Sequence, residues 1–187
     1  MPRNDSFTIR KATLDDLSAL QKIASDTYRQ HFGAIWSEQG IQAFLDRDFS
    51  TQALTATLTS PAHTCLLATE ESNTDEERVV GYAKVNWQTP NPVTGEVGGE
   101  LQKIYFAPEA TGKGYGSAMF ARVFALAEDR GEPLWLDVLK TNVGAQRLYA
   151  KQGFRVLGEV PFATDLLDIG MLVMGQPALV GEAAGRA

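Results

Sequence analysis

The stretch Thr111-Gly112-Lys113-Gly114-Tyr115-Gly116-Ser117 constrains this chain more than any other. It lies between a strand-like run, Glu100 to Phe106, and a long helical pattern from Gly114 to Arg130. Met119, Phe120, Val123, Leu126 and Ala127 share one face of that helix, and Gly131 is its stop. Glycines let the backbone turn sharply, and free N–H groups at a helix N-terminus, with the helix dipole behind them, favour an anion. The natural guest is a phosphorylated ligand. A Walker loop is excluded, because Gly114 stands where Ser or Thr must follow Gly112-Lys113. The dinucleotide fingerprint fits Gly112 and Gly114 but meets Ser117 at its third glycine, and it falls past residue 100 rather than in an opening βαβ unit. Asp137, about 20 residues on, is the remaining support for that reading. A glycine-rich turn with no ligand is the plain alternative.

The elements around the turn predict one mixed sheet. Phe7 to Arg10 alternates as a strand, and Thr13 with Asp16 opens a helix running to about His31. Helical segments follow Ser37 and Ser50. His63 to Thr69 and Arg78 to Trp87 read as strands joined by an acidic, solvated connector. After the turn and its helix come a strand at Leu134 to Leu139, a short helix at Ala145 to Gln152, and a closing hairpin of Phe154 to Val160 with Leu167 to Met174. The predicted fold is α/β in the α+β sense: a mainly antiparallel sheet of six to seven strands, helices on both faces, and one parallel crossover around the Gly114 helix. Residues 1–174 are expected to form one domain, and the Gly/Ala-rich residues 175–187 a flexible tail.

Composition narrows the function. Apolar residues make up 44% and charged residues 21% of 187, so the chain has the make-up of an ordinary globular domain. A net charge of −6 argues against a protein that covers nucleic acid, although it leaves room for one local phosphate site. Cys65, the only cysteine, excludes an internal disulfide and a multi-thiolate metal site and reads as a buried strand residue. His31 and His63 lack paired ligand spacing, so no metal is expected. Without an apolar leader or a run of about 18 apolar residues, the expectation is a cytoplasmic protein with no membrane partner.

Glu100 to Gly116, then Asn142 and Ala145, then Leu148-Tyr149-Ala150-Lys151-Gln152-Gly153-Phe154, resembles the GNAT acetyltransferase superfamily in motif and spacing. The resemblance covers roughly Phe7 to Met174. Within the superfamily, Gly81 to Asn86, Leu101 to Tyr105, Trp135 to Val138 and Asp165 to Leu167 are most similar to the bacterial spermidine/spermine N-acetyltransferases. It implies acetyl-CoA as cosubstrate and transfer of its acetyl group to a primary amine, a polyamine or other small amine, by direct attack through a tetrahedral intermediate. It also implies a set of cofactor contacts. The strand Ile104-Tyr105-Phe106 would bond the pantetheine arm through its main chain, and Gly112, Lys113, Gly114, Tyr115, Gly116 and Ser117 would hold the pyrophosphate. Asn142, Tyr149 and Lys151 would complete the contacts. Thr111 departs from the pattern, since it stands where the family usually has Arg or Gln. Lys113 or further backbone contacts would then replace that donor.

Two residues carry the expected chemistry. Tyr149 is the general acid for the departing thiolate, against the alternative of an aromatic core residue. Glu100 is the general base, placed by period two on one face with Gln102 and Ile104. The alternatives there are a solvated carboxylate and a water chain. Asn142 caps the short helix, bonds the cofactor, or does both. A non-catalytic acyl-CoA-sensing module and an acetyltransferase acting on a protein amine are the alternative functions. A homodimer is left open.

Overall fold

The structure, a computed structural model, describes residues 7–71 and 77–176. Most of the acidic connector and of the C-terminal tail lies outside the described residues. The elements run β1 (Phe7–Lys11), α1 (Leu17–Phe32), α2 (Glu38–Asp48), α3 (Thr51–Thr59), β2 (His63–Glu71), β3 (Glu77–Pro90), β4 (Val97–Phe106), α4 (Tyr115–Arg130), β5 (Leu134–Leu139), α5 (Val143–Lys151), β6 (Arg155–Val160) and β7 (Met171–Gly175). Seven strands form one sheet in the order β1-β2-β3-β4-β5-β7-β6, antiparallel everywhere except between β4 and β5. No helix among the described residues is long and apolar enough to cross a membrane.

Local chemistry explains the helix starts. The Thr13 N–H donates to the Asp16 carboxylate at 2.8 Å, and the chain makes one 3-10 turn, Leu14–Asp16, before α1 begins. The hydroxyls of Ser37 and Ser50 accept from the Gly40 and Ala53 amides and cap α2 and α3.

Alternation along the strands divides the core in two. Leu66, Ala68, Val85, Leu101, Leu136 and Val138 pack with Phe120, Val123 and Phe154 on the α4 face. Cys65, Leu67 and Tyr82 pack with Leu20, Ala24, Tyr28, Ile41 and Leu54 on the α1–α3 face. Two irregularities shift this pattern. In β3 the pairing skips Val80, so Val80 and Tyr82, two residues apart, contribute to opposite faces. In β4 it skips Gln102: Leu101 opposes Val85 and Lys103 opposes Lys84. Leu101 and Ile104, three residues apart, therefore both face α4, while Tyr105 faces the other side. A strict period-two reading of β4 fails at this bulge, and Glu100 does not share a face with Ile104.

The hairpin β6–β7 also starts later than its apolar pattern suggests. Thr164 donates to the Ile35 carbonyl, and Asp165 accepts from the Ser37 hydroxyl and amide, which ties residues 161–170 to the α1–α2 connection. These contacts hold Leu166 and Leu167 in a turn, and Met171 becomes the first strand residue.

Candidate functional site

The site follows from the one parallel contact in the sheet. Gly99 opposes Leu134 and Glu100 opposes Trp135, and there the pairing ends. A Cβ on Gly99 would stand 2.7 Å from the Trp87 ring, so glycine is what lets β4 approach this closely. Beyond Glu100 the strands diverge and leave a cavity lined by Lys103, Ile104, Tyr105, Asp137, Asn142 and Tyr149, with Tyr28, Phe32 and Phe44 on its α1–α2 side. The Ala107 amide donates to the Val80 carbonyl at 2.8 Å. By antiparallel alternation Tyr105 and Lys103 then turn their backbone groups to β3, and Ile104 and Phe106 turn theirs to the cleft. The ring of His31, also at the cavity wall, hydrogen-bonds the Phe106 carbonyl; burial nonetheless pulls the imidazole below its ordinary value. The cleft can therefore accept an extended ligand in place of a strand.

The glycine turn opens at one end of this cleft. Gly114 adopts φ +83° and serves as the N-cap of α4, a conformation that favours glycine. A Cβ at Gly112, Gly114 or Gly116 would meet nothing within 4 Å, so the concave side of the turn is open. The side chains around it are engaged. The Thr111 hydroxyl donates to the Pro108 carbonyl at 2.7 Å, and the Lys113 ammonium donates to Glu70 at 2.8 Å. The Tyr115 hydroxyl also donates to Glu70, and its ring stacks on Phe7 at 3.8 Å. Backbone amides remain as donors for an anion here, and Lys113 and Tyr115 anchor the turn to β2. Glu70, expected from the sequence to begin the solvated acidic connector, is instead a β2 residue that is 6% exposed, and Lys113, Tyr115 and Arg78 together hold it down at about 2.

Tyr149 lies on α5 between the cavity and the α4 core, with its ring edge-on to Phe120 and Phe154. Its two readings, acid and core residue, thus describe two sides of one side chain. No hydrogen bond holds its hydroxyl among the described residues. Burial, with the Asp137 charge added, pushes it up to about 12, so it keeps its proton at neutral pH. Asn142 caps α5 by accepting from the Ala145 amide at 3.1 Å, and its amide nitrogen stays available at the cavity wall.

Glu100 sits where the β4–β5 pairing ends, on the α1–α3 side of the sheet, and is absent from the cavity wall. It accepts from Asn86 at 2.7 Å, and the Asn86 carbonyl oxygen meets the His63 ring at 2.9 Å. Burial raises its carboxyl, and Asn86 opposes that shift. Lys151 is exposed in the last turn of α5 and is absent from the cavity wall. Ser117 is exposed in the first turn of α4.

Sequence reasoning expected the stretch Tyr28 to Trp36 to help build the acceptor pocket, and Tyr28 and Phe32 do line the cavity; it missed Phe44 and Lys103 and gave Asp137 a place in the dinucleotide reading and in a family-like run but no role in the site. Tyr28 and Phe44 stand at helical spacing with apolar neighbours and read as core. Only the bulge at Gln102, invisible in composition, turns Lys103 toward them. Asp137 follows three buried residues on β5 and alone breaks that apolar run, which was the available signal.

Residues 18–154 match the model of the acetyltransferase (GNAT) family. An uncharacterised N-acetyltransferase of Mycobacterium tuberculosis is 31% identical over 150 residues, which is 80% of this chain and 89% of that one. Among solved structures, the PaiA N-acetyltransferase of Thermoplasma acidophilum, in complex with coenzyme A, superposes with TM-score 0.70 at 22% identity, covering 91% of this chain and 98% of the other. NAA60 of Arabidopsis thaliana, in complex with acetyl-CoA, gives TM-score 0.69 at 12% identity over 91% and 97%. These likenesses show the fold, while the family model and the mycobacterial relative show the family. The chain belongs to the GNAT acetyltransferase family and is an acetyltransferase.

Proposed function

We propose that this enzyme acetylates a primary amine of a small molecule, by direct attack of the amine on the thioester, with Tyr149 as acid and Glu100 as base. The observation that carries the reading is the Tyr149 hydroxyl, unbonded among the described residues, at the wall of a cleft whose strands have stopped pairing. The residues present fit acetyl-CoA. The open amides of the glycine turn suit its pyrophosphate, and the outward backbone groups of Ile104 and Phe106 suit a pantetheine amide chain. Acetyl-CoA supplies an activated acyl group, and the protein supplies positions and protons.

Tyr149 keeps its proton until the C–S bond breaks. An ordinary phenol near 10 can protonate a thiolate near 8.5 when hydrogen-bonded to it. The burial that raises this phenol to about 12 raises a thiolate in the same cleft in the same sense, so the match survives. Glu100 takes the amine's proton, directly or through water. Its raised carboxyl is a better base than an exposed one, and the Asn86–His63 chain holds its orientation.

A polyamine acceptor, implied by the sequence resemblance, draws support from Asp137 in the cavity and from the net charge of −6. Lys103 in the same cavity opposes it.

The test is a screen of amine acceptors with detection of free thiol, preceded by thermal-shift measurements with acetyl-CoA and with NAD. A ligand at 100 times its Kd stabilises by about 2.7 kcal/mol. A shift with acetyl-CoA and thiol release with an amine support the reading. A shift with acetyl-CoA but no transfer to any amine would leave an acyl-CoA-sensing module, and a shift with NAD alone would revive dinucleotide binding.

A further inference from the structure

Lys103 is a charged side chain in a place built for something else. It projects from the β4 bulge into the α1–α2 side of the cavity, with its ammonium 5.9 Å from the Tyr28 ring centre and 5.4 Å from that of Phe44. Those two rings are themselves stacked at 3.9 Å. No carboxylate pairs with the ammonium among the described residues. Asp48, the nearest acid on α2, is engaged by Arg47 at 2.8 Å. Asp137 on β5 and Glu100 on β4 act on Lys103 through their charges without touching it, and Lys84 on β3 opposes them. Burial pulls this ammonium below its ordinary value, and the charges of Asp48, Asp137 and Glu100, none of them paired with it, oppose that shift.

We infer that Lys103 is the counter-charge for an anionic group on the acceptor, so that the substrate is an amine carrying a carboxylate rather than a second ammonium. This rests on the acetyltransferase reading above. One wall of the cavity offers Asp137 and Tyr149, and the other offers Lys103 beside the stacked Tyr28 and Phe44 rings. Opposite charges at the two ends match a zwitterion. A polyamine would bring a second ammonium toward Lys103 in a low-dielectric pocket, where like charges repel strongly. A carboxylate there would instead complete an ion pair whose ammonium is already desolvated, and the aromatic rings would exclude water around it.

The test compares matched acceptors that differ only in charge: β-alanine and 4-aminobutyrate against their carboxamides and against diamines of equal length. Expected for the wild type is kcat/KM at least about tenfold higher for the carboxylate than for its carboxamide, carried mainly by KM. In Lys103→Met that ratio should fall to near 1, and in Lys103→Arg it should persist. Melting temperature and acetyl-CoA affinity confirm that each variant is folded. Equal use of carboxylate and carboxamide by the wild type, preference for the diamine, or an unchanged ratio in Lys103→Met would overturn the inference while leaving the acetyltransferase intact. Acetyl-CoA binding without transfer to any amine would overturn both.

Discussion

Replacing Glu70 by Gln tests whether the phosphate turn is anchored by charge. Glu70 is held at about 2 against an ordinary 4.5 because the Lys113 ammonium, the Tyr115 hydroxyl and the Arg78 guanidinium all donate to it. A depression of that size corresponds to roughly 3 kcal/mol of folding stability. Arg78 and Lys113 are 49% and 42% exposed, so solvent screens much of the attraction. A contribution of about 1–2 kcal/mol is the realistic figure. The folded-state value lies below the unfolded one. The stabilisation is therefore complete above the unfolded value of 4.5 and is lost as pH falls toward 2. At pH 7 the Glu70→Gln protein should melt about 3–6 °C lower than the wild type, and the gap should narrow between pH 5 and pH 3. Gln keeps an acceptor for the Tyr115 hydroxyl, so the change isolates the charge. Calorimetric melting of both proteins across that range is the assay. A gap of constant size from pH 7 to pH 3, or none at pH 7, would refute the electrostatic account of the anchor.

Tyr149→Phe keeps the edge-on packing against Phe120 and Phe154 and removes only the hydroxyl, so kcat should fall by about 10²-fold with acetyl-CoA affinity unchanged. Near wild-type kcat under chemistry-limited conditions would leave the ring a core residue. Glu100→Gln should depress turnover most on the acid side of the pH–rate profile, where the acceptor amine is most protonated; a wild-type profile removes Glu100 from the reaction. Gly116→Asp puts a like charge where the turn is open and should weaken acetyl-CoA binding at least tenfold by calorimetry, with little change in melting temperature. Unaltered affinity in folded protein would detach the pyrophosphate from this turn.

The sequence made most of the fold legible because its signals are local. The seven strands, the caps at Ser37 and Ser50 and the stop at Gly131 all follow from alternation, capping chemistry and a left-handed glycine. The turn and Tyr149 were legible as a motif. Glu100 was found as a residue and misplaced as a neighbour of Ile104, because a bulge inserts one residue without any mark in composition. Lys103 escaped for the same reason, and Glu70 because its partners stand 43 and 45 positions away along the chain. Residues 167–170 looked like the start of a strand because Leu167 and Ile169 are apolar; Thr164 and Asp165, bonding to the α1–α2 connection, outweigh them, and the strand begins at Met171.

What the fold and the site share is the place where the sheet stops being a sheet. β4 and β5 touch over two residue pairs, and the rest of that edge carries backbone donors and acceptors with no strand to meet them. In a closed sheet such groups would be a defect, since an unmade hydrogen bond in a dry cleft is expensive. Here the shared core on the α4 face, with Leu101 from β4, Leu136 and Val138 from β5, and Phe120 and Phe154 behind them, keeps the two strands in one body after their pairing ends. Because α4 both starts at the glycine turn and backs the cleft, the open amides of the turn and the unpaired strand edge are fixed to the same helix. On the reading proposed for this site, a ligand with a phosphate at one end and an amide chain at the other would gain both contacts without ordering the protein first, so a short parallel contact would suffice to build it.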